Sequence, residues 1–289
     1  MHYHTPGNFD DAIAIAAKAQ GVTRFLAGGT DVLVQLRADI VTPDDLIDVK
    51  HITGVKEIKR EGDGGWRIGI AVAGAEMTEH AQLMGEWPGI VEGMDLIGST
   101  QVQGRATLVG NLCNGSPAAD GVPAMIAAGV SVSIKGPNGS RVAQVEDIPA
   151  GPGRTSLTKG EIITALHIPP RGHNAGDAYL RFIPRTEMDI AVVGCAVNLH
   201  LEGKKITSAR VALGAVAPTA LLVEEAAAAI IGSTLDEAAL DRLAEAASAA
   251  CKPIDDKRGT IKFRTHVAGV LAKRAAKIAY DRAIKNTGK

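Results

Sequence analysis

The sequence predicts an α+β protein made of three consecutive segments. Residues 1–50 alternate between helical and strand patterns, the residues from 55 onward are rich in strand patterns, and the last third places strands ahead of helices. Elements grouped in this way along the chain are typical of α+β architectures. With 46% hydrophobic residues among 289, the chain has enough apolar side chains for one or two ordinary cores.

The first segment is predicted to be a small βαβ unit with a glycine turn. Apolar residues at helical spacing predict a helix over residues 9–19, and a short strand over residues 23–27 leads into Gly28-Gly29. A second helix over residues 31–38 and a strand over residues 44–49 complete the unit.

The second segment combines strands with two helices. Strands are predicted over residues 66–70, 130–135 and 161–168, and helices over residues 90–97 and 119–128. The joint over residues 98–118 is rich in Gly, Ser, Thr and Asn and is long for a structureless connection, which favours a functional loop.

The third segment follows a boundary at Pro169-Pro170 and the glycines near residue 172. Its predicted strands cover residues 179–183, 190–201 and 206–215. One predicted helix begins at a capping box, Thr234-x-x-Glu237, and a longer helix covers residues 262–285.

Charge and hydropathy exclude several classes of protein. Thirty-one Lys and Arg against 32 Asp and Glu leave a formal net charge of −1, which argues against a general attraction to nucleic acid or anionic membrane. No apolar run approaches the roughly 20 residues of a bilayer-crossing helix, so no membrane span is expected. The first residues lack a cationic region followed by an apolar one, so we expect no secretory signal and a cytoplasmic location.

The cysteines and the basic C-terminal region carry no metal or nucleic-acid signal. Cys113, Cys195 and Cys251 are too widely spaced for a disulfide framework, an iron–sulfur site or a zinc site, and no metal site is predicted. Residues 252–289 are basic and residues 224–245 acidic, which we interpret as two solvated helix faces of opposite charge. No recognition motif accompanies the basic region, so no nucleic-acid partner is expected.

Two glycine loops are the candidate ligand-binding features. Gly28-Gly29 breaks a predicted strand ahead of a helix, and glycines there let backbone N–H groups approach phosphate oxygens closely. The second loop, residues 107–111, continues to Asp120, an acid suited to accept hydrogen bonds from ribose hydroxyls. Neither loop has P-loop or Gly-x-Gly-x-x-Gly spacing, and no Ser or Cys nucleophile stands in a recognisable setting.

Three ordered motifs together resemble one family. They are Leu26-Ala27-Gly28-Gly29-Thr30-Asp31, then Thr107-x-x-Gly110-Asn111 with Ser116-Pro117-Ala118-Ala119-Asp120, then Met188-Asp189-Ile190-Ala191-x-Val193. The sequence resembles, essentially from end to end, the FAD-binding medium subunit of molybdenum hydroxylases such as xanthine dehydrogenase and carbon monoxide dehydrogenase.

The resemblance implies the domain organisation and the site residues. It implies a two-part FAD-binding domain of the PCMH type, with a small N-terminal α/β part (residues 1–54) and a larger α/β part (residues 55–172). A C-terminal domain of short antiparallel sheet and helices follows over residues 177–289. The implied FAD-binding residues are Phe25, Leu26, Ala27, Gly28, Gly29, Thr30, Asp31, Val32, Ile97, Thr107, Leu108, Val109, Gly110, Asn111, Asp120, Leu166 and Arg181.

Within this set, the resemblance implies particular roles. The two loops wrap the pyrophosphate, Asp120 meets the adenosine end, and Arg181 lies near the isoalloxazine at a position that is usually Lys. The chain departs from the family where Val109 replaces the first of two glycines, and where Gln103-Gly104 replaces Arg-Asn. A β-branched residue at position 109 either is tolerated or weakens FAD binding.

The resemblance also implies a function and partners. The chain is expected to bind one FAD non-covalently and to pass electrons from partner iron–sulfur clusters to an external acceptor. The [2Fe-2S] clusters and the molybdopterin belong to a small and a large partner subunit, in a dimer of heterotrimers, and no catalytic residue is assigned to this chain. Two alternatives remain open: a stand-alone FAD-dependent reductase or oxidase, and a non-catalytic scaffold whose flavin site has decayed.

Overall fold

The structure, a computed structural model, describes residues 1–286 and has the mixed α and β architecture that the sequence predicts. The third predicted segment extends to residue 289, so its last three residues lie outside the described part. The elements form three units that follow one another along the chain.

The first unit is a three-stranded parallel sheet with two helices. Its elements are β1 (His2–His4), α1 (Phe9–Lys18), β2 (Thr23–Leu26), α2 (Val32–Arg37) and β3 (Asp45–Asp48). Both β1 and β2 pair with β3. The sequence did not predict β1, because three residues are too few to show an alternating pattern. Helix α1 begins where the Asn8 side chain accepts a hydrogen bond from the Asp11 N–H at 2.8 Å.

The second unit is built on a five-stranded antiparallel sheet in the order β4-β5-β10-β6-β7. Its elements are β4 (Ile58–Arg60), β5 (Trp66–Gly69), α3 (Gly74–Thr78), α4 (Ala81–Glu86), α5 (Pro88–Asp95), α6 (Thr100–Gln103), α7 (Leu108–Cys113), α8 (Gly121–Ala128), β6 (Ser131–Gly136), β7 (Gly139–Gln144), β8 (Pro149–Gly151), β9 (Arg154–Thr155) and β10 (Ile162–Ile168). Strands β6 and β7 form a hairpin whose turn lies between Gly136 and Gly139.

The polar joint at residues 98–118 is not structureless. It contains the short helices α6 and α7, which the sequence analysis missed. Helices of four and six residues are too short to show a 3.6-residue periodicity. The local signal for α7 is its N-cap, Thr107, whose Oγ1 accepts a hydrogen bond from the Gly110 N–H at 2.9 Å.

The third unit is a four-stranded antiparallel sheet in the order β11-β12-β13-β14, followed by three helices. Its elements are β11 (Ala175–Phe182), β12 (Val193–Glu202), β13 (Lys205–Gly214), β14 (Leu221–Leu222), α9 (Glu224–Ala228), α10 (Glu237–Ala249) and α11 (Ile261–Asn286). The predicted capping box at Thr234 is wrong: Asp236 caps α10 and accepts from the Ala239 N–H at 2.8 Å. No helix within residues 1–286 combines the length and apolar character that crossing a bilayer requires.

Helix α8 joins the second unit to the third. All eight of its residues are buried, which agrees with a sequence that is apolar on every side. It ends at Gly129, whose φ of 71° is the left-handed conformation that favours glycine at a helix end. On the opposite side of the third sheet, α11 packs so closely that a Cβ at Gly176 would lie 1.9 Å from the Ala279 carbonyl oxygen. The third sheet is therefore fixed between the helices of the second unit and α11.

Candidate functional site

A cavity of about 510 Å³ lies between the first unit and the second. Its walls come from the end of β2, the start of α2, helix α7 and the start of β10. The two glycine loops, 79 residues apart in sequence, face each other across it. The residues predicted from the sequence that line this cavity are Phe25, Ala27, Gly28, Gly29, Thr30, Asp31, Val32, Ile97, Thr107, Val109, Gly110 and Asn111.

The first glycine loop presents its backbone to the cavity. Gly29 has a φ of 79°, which only glycine adopts easily. A Cβ at Gly28 would lie 1.9 Å from the carbonyl oxygen of Arg105, so the two loops touch at a position where no side chain fits. Within residues 1–286, the N–H groups of Gly28, Gly29, Thr30 and Asp31 donate to no acceptor. Four successive free donors form a cradle for an anion.

The second glycine loop is the first turn of α7. The first N–H groups of a helix have no partner inside the helix, and those of Leu108 and Val109 occupy this position. Val109 has helical backbone geometry rather than a positive φ, and its side chain is buried. The substitution of valine for the family glycine is therefore accommodated without backbone strain.

The second departure from the family pattern also has a structural role. The amide of Gln103 donates to the carbonyl oxygen of Asp95 at the end of α5, and the side chain is buried. Two residues further along, Arg105 extends its guanidinium toward the carbonyl oxygen of Gly28 at 3.5 Å. The segment that contains Gln103 and Arg105 thus contacts the first loop and helps to hold it in place.

Asn114 connects the two loops through side chains. Its Nδ2 donates to Asp31 Oδ1 at 3.1 Å, and its Oδ1 accepts from Gln35 Nε2 at the same distance. All three residues line the cavity. Gly153 then donates its N–H to the carbonyl oxygen of Gly115 at 2.9 Å and joins the turn between β8 and β9 to the same wall.

Some cavity residues were missed by the sequence analysis. They are Thr23, Arg24, Gln35, Ile40, Val41, Ile70, Ala106, Cys113, Asn114, Gly153, Thr155, Leu157, Glu161, Ile162 and Ile163. Asn114 belongs to the polar stretch that the sequence marks as functional. The residues of β10 lie on a predicted strand, but a strand pattern does not show which cavity its end approaches.

Five predicted residues do not line the cavity. Leu26, Leu108 and Leu166 are buried in the hydrophobic core. Asp120 and Arg181 form an ion pair with each other, Nη1 to Oδ2 at 2.6 Å, and both side chains are less than 10% exposed. The predicted contacts of these five residues with the cofactor remain predictions.

The Asp120 carboxylate connects the cavity wall to the third unit. Its other oxygen accepts from the Tyr179 hydroxyl at 2.8 Å, so two residues of β11 hold it. The next residue, Gly121, donates its N–H to the Asn111 side-chain oxygen at 3.0 Å. A continuous set of hydrogen bonds therefore leads from the second loop to β11.

The carboxylates at the site have shifted pKa values. Desolvation raises the pKa of Asp120 to about 6 and outweighs the stabilisation of the charged form by Arg181 and Tyr179. Desolvation also raises the pKa of Asp31. Glu161, at the edge of the cavity, is the opposite case: two hydrogen bonds from Arg141 and one from the Thr158 N–H lower its pKa to about 2.

Comparison with known proteins identifies both halves of the chain. A family model described as "FAD binding domain in molybdopterin dehydrogenase" matches residues 1–171, and one described as "CO dehydrogenase flavoprotein C-terminal domain" matches residues 178–279. The carbon monoxide dehydrogenase medium chain of Afipia carboxidovorans is 34% identical over 288 residues, with 97% of each chain covered. A putative xanthine dehydrogenase FAD-binding subunit of Escherichia coli is 29% identical and covers 94% of this chain and 93% of its own.

Solved structures show the same fold over the whole length. A chain of the reconstituted CO dehydrogenase from Oligotropha carboxidovorans superimposes with a TM-score of 0.93 at 33% identity, and 98% of each chain is covered. A chain of CO dehydrogenase from Hydrogenophaga pseudoflava gives the same score at 31% identity, again with 98% of each chain covered.

Proposed function

The chain belongs to the family of FAD-binding medium subunits of molybdenum hydroxylases, and we propose that it is the electron-transfer subunit of such an enzyme. In this role it binds one FAD non-covalently in the cavity between the two glycine loops. It receives electrons from iron–sulfur clusters of a partner and passes them to an external acceptor. The observation that carries the proposal is the cradle of free N–H groups at Gly28–Asp31, which faces the first turn of α7.

The residues of the cavity fit this cofactor. Free N–H groups of a glycine loop and of a helix start are the donors that pyrophosphate oxygens require. The volume of about 510 Å³ lies within the range of about 300–1,000 Å³ that is usual for pockets that bind organic cofactors. Gly28 and Gly29 keep the first wall free of side chains at its closest approach to the second.

The glycine loops and the apolar side chains of the cavity have different roles. FAD, when bound, supplies the chemistry that couples one-electron donors to two-electron acceptors. The glycine loops hold the cofactor by its phosphates. The apolar side chains of Phe25, Val32 and Ile97 line the cavity and exclude water from part of it.

The structure weakens the scaffold alternative. That alternative rested on Val109 as the first sign of a decayed flavin site, and Val109 occupies an unstrained helical position. No observation favours the stand-alone reductase or oxidase either.

The proposal includes the partners and the domain boundaries. The small iron–sulfur subunit and the large molybdopterin subunit assemble with this chain as a dimer of heterotrimers in the cytoplasm. The FAD-binding domain comprises residues 1–54 and 55–172, and the C-terminal domain residues 177–289. Asp120 and Arg181, which lie outside the cavity, contribute through the hydrogen bonds that link β11 to the second loop.

The test is the visible spectrum of the purified chain before and after FAD is added, with acid release to identify the bound cofactor. We expect one FAD per chain, reduction of that FAD by the reduced iron–sulfur partner, and no turnover of NADH or hydroxylation substrates by the chain alone. Steady turnover by the isolated chain would favour the stand-alone enzyme. A chain that binds no flavin would favour the scaffold.

A further inference from the structure

Three polar side chains form a hydrogen-bonded chain outside the cavity, on the five-stranded sheet of the second unit. Ser133 Oγ lies 2.7 Å from His167 Nε2, and His167 Nδ1 lies 2.9 Å from Glu61 Oε2. Ser133 is on β6, His167 is on β10, and Glu61 follows β4. A hydroxyl beside an imidazole that an acid orients is the arrangement of an activated serine nucleophile.

The group lies on the open face of the sheet. Val132 and Ile134, on either side of Ser133 in sequence, are buried in the core, so Ser133 points to the opposite face. The side chains of His167 and Glu61 are 26% and 32% exposed. Reagents in solution therefore reach the imidazole and the hydroxyl bonded to it.

The two hydrogen-bond partners of His167 determine which of its ring nitrogens carries the proton. A carboxylate only accepts hydrogen bonds, so in the neutral imidazole the proton is on Nδ1 and is donated to Glu61. Nε2 is then an acceptor, and the Ser133 hydroxyl donates to it. This tautomer is the one in which His167 takes a proton from Ser133 as a general base.

A cation lies next to this group. Arg67 is the Cα partner of His167 on the neighbouring strand, and directly paired residues project to the same face. Within residues 1–286 its guanidinium has no hydrogen bond or ion pair. Because β10 lies between β5 and β6, Arg67 flanks His167 on the side away from Ser133.

We propose that Ser133 is a reactive serine that is acylated by activated acyl donors such as thioesters, acyl phosphates and aryl esters. The Ser133 oxygen forms a bond to the acyl carbon while His167 Nε2 takes the hydroxyl proton. The bond to the leaving group breaks, and His167 returns the proton to the departing thiolate, phosphate or phenolate. The products are O-acyl-Ser133 and the free leaving group, with no change of oxidation state.

The test treats the full, FAD-loaded chain with 4-nitrophenyl acetate, follows 4-nitrophenolate release, and maps the acetyl group by peptide mass spectrometry. We expect acetylation of Ser133, its loss in Ser133→Ala, and a rate that falls by about a hundredfold in His167→Gln. Glu61→Gln is expected to lower the rate less, because the imidazole remains in place. FAD absorbance and circular dichroism of each variant check that the fold is intact.

Ser131 is the matched control. It lies on the same strand and face as Ser133 and is the Cα partner of His167, but it makes no hydrogen bond to the imidazole within the described residues. Nitrophenolate release that depends on both Ser133 and His167 supports the proposal whether or not the acyl group accumulates. Equal acetylation of Ser131 and Ser133, or a rate of nitrophenolate release that is unchanged in Ser133→Ala or in His167→Gln, would overturn it.

Discussion

Single residues decide how closely the two glycine loops approach each other. Gly28 lies against the backbone at Arg105, and Asn114 reaches from the second loop to both Asp31 and Gln35. Each contact brings together parts of the chain that are more than 70 residues apart in sequence. A small change at either position therefore alters the width of the cavity.

Gly28→Ala is expected to abolish FAD retention while the chain remains folded. The added Cβ would lie 1.9 Å from the Arg105 carbonyl oxygen, so the first loop must move away from the second. Gly104→Ala is the matched control, because its Cβ would meet only the Gln101 carbonyl oxygen at 3.7 Å. Bound FAD per chain is measured from the visible spectrum after gel filtration. Equal FAD content in the two variants would contradict the assignment of Gly28 to the cavity wall.

Asn114→Ala is expected to weaken FAD binding by up to about thirtyfold. The variant loses both hydrogen bonds that hold Asp31 and Gln35 in place, and such bonds contribute about 1 kcal/mol each. The dissociation constant is measured by flavin fluorescence quenching. Asn138→Ala, in the exposed hairpin between β6 and β7, serves as the control and should bind FAD as the unaltered chain does.

At the scale of elements, β11 forms the contact between the third unit and the second. Asp177, Tyr179 and Arg181 alternate along the strand and share one face. Asp177 accepts from the Gly89 N–H at the start of α5, at 2.9 Å. Tyr179 and Arg181 both bond Asp120 at the start of α8. One strand face thus contacts the starts of two helices of the neighbouring unit.

Tyr179→Phe is expected to lower the free energy of unfolding by about 1.5–3 kcal/mol. The variant removes a hydrogen bond to a buried carboxylate and leaves one Asp120 oxygen without its donor. Urea unfolding followed by circular dichroism measures the loss. Tyr280→Phe provides the comparison: its hydroxyl donates to the Lys204 carbonyl oxygen, a neutral acceptor, and the loss should be smaller. Equal losses of unfolding free energy in the two variants would show that the hydrogen bond to Asp120 contributes no more than a hydrogen bond to a neutral acceptor.

At the scale of the whole molecule, charged residues are buried where the second and third units meet. Asp177 pairs with Arg171 at 2.9 Å, and both side chains are 5% exposed. The Arg171 guanidinium also stacks on Trp87, 4.3 Å from the ring centroid. Desolvation raises the pKa of Asp177 to about 6, although Arg171 and Arg282 favour its charged form.

Stability is expected to depend on pH through Asp177. Its pKa is about 6 in the folded chain and about 3.9 when unfolded, so the folded state binds the proton more tightly. This stabilisation is complete below about pH 4 and is lost as the pH rises through 6. The Asp177→Asn variant has no titrating group at this position, so it does not lose stability in this way as the pH rises. The difference in free energy of unfolding between the two proteins should therefore change by about 2 kcal/mol between pH 4 and pH 7.

Urea unfolding at several pH values measures this difference, and comparison of the two proteins cancels the titration of the other groups. A difference that stays constant from pH 4 to pH 7 would contradict the raised pKa of Asp177.

Local patterns predicted most elements and the glycine loops. The helix over residues 9–19 and the strand that ends at Gly28-Gly29 follow from residue type and spacing over a few positions, and the structure has both. Short elements escaped prediction because β1, α6 and α7 have too few residues for a periodic signal. The start of α10 was predicted two residues too early, because Thr234 and Asp236 are both suitable caps and only the packed helix selects one.

The sequence by itself determined the fold class, the two glycine loops and, through three ordered motifs, the family. Only the tertiary structure decided which side chains meet: Asn114 with Asp31, Asp120 with Arg181, and Ser133 with His167 and Glu61. The physical reason is that residue type and spacing act over one turn or one strand. Contacts between residues that are 34 to 106 positions apart depend instead on how sheets and helices pack, and no local pattern records that packing.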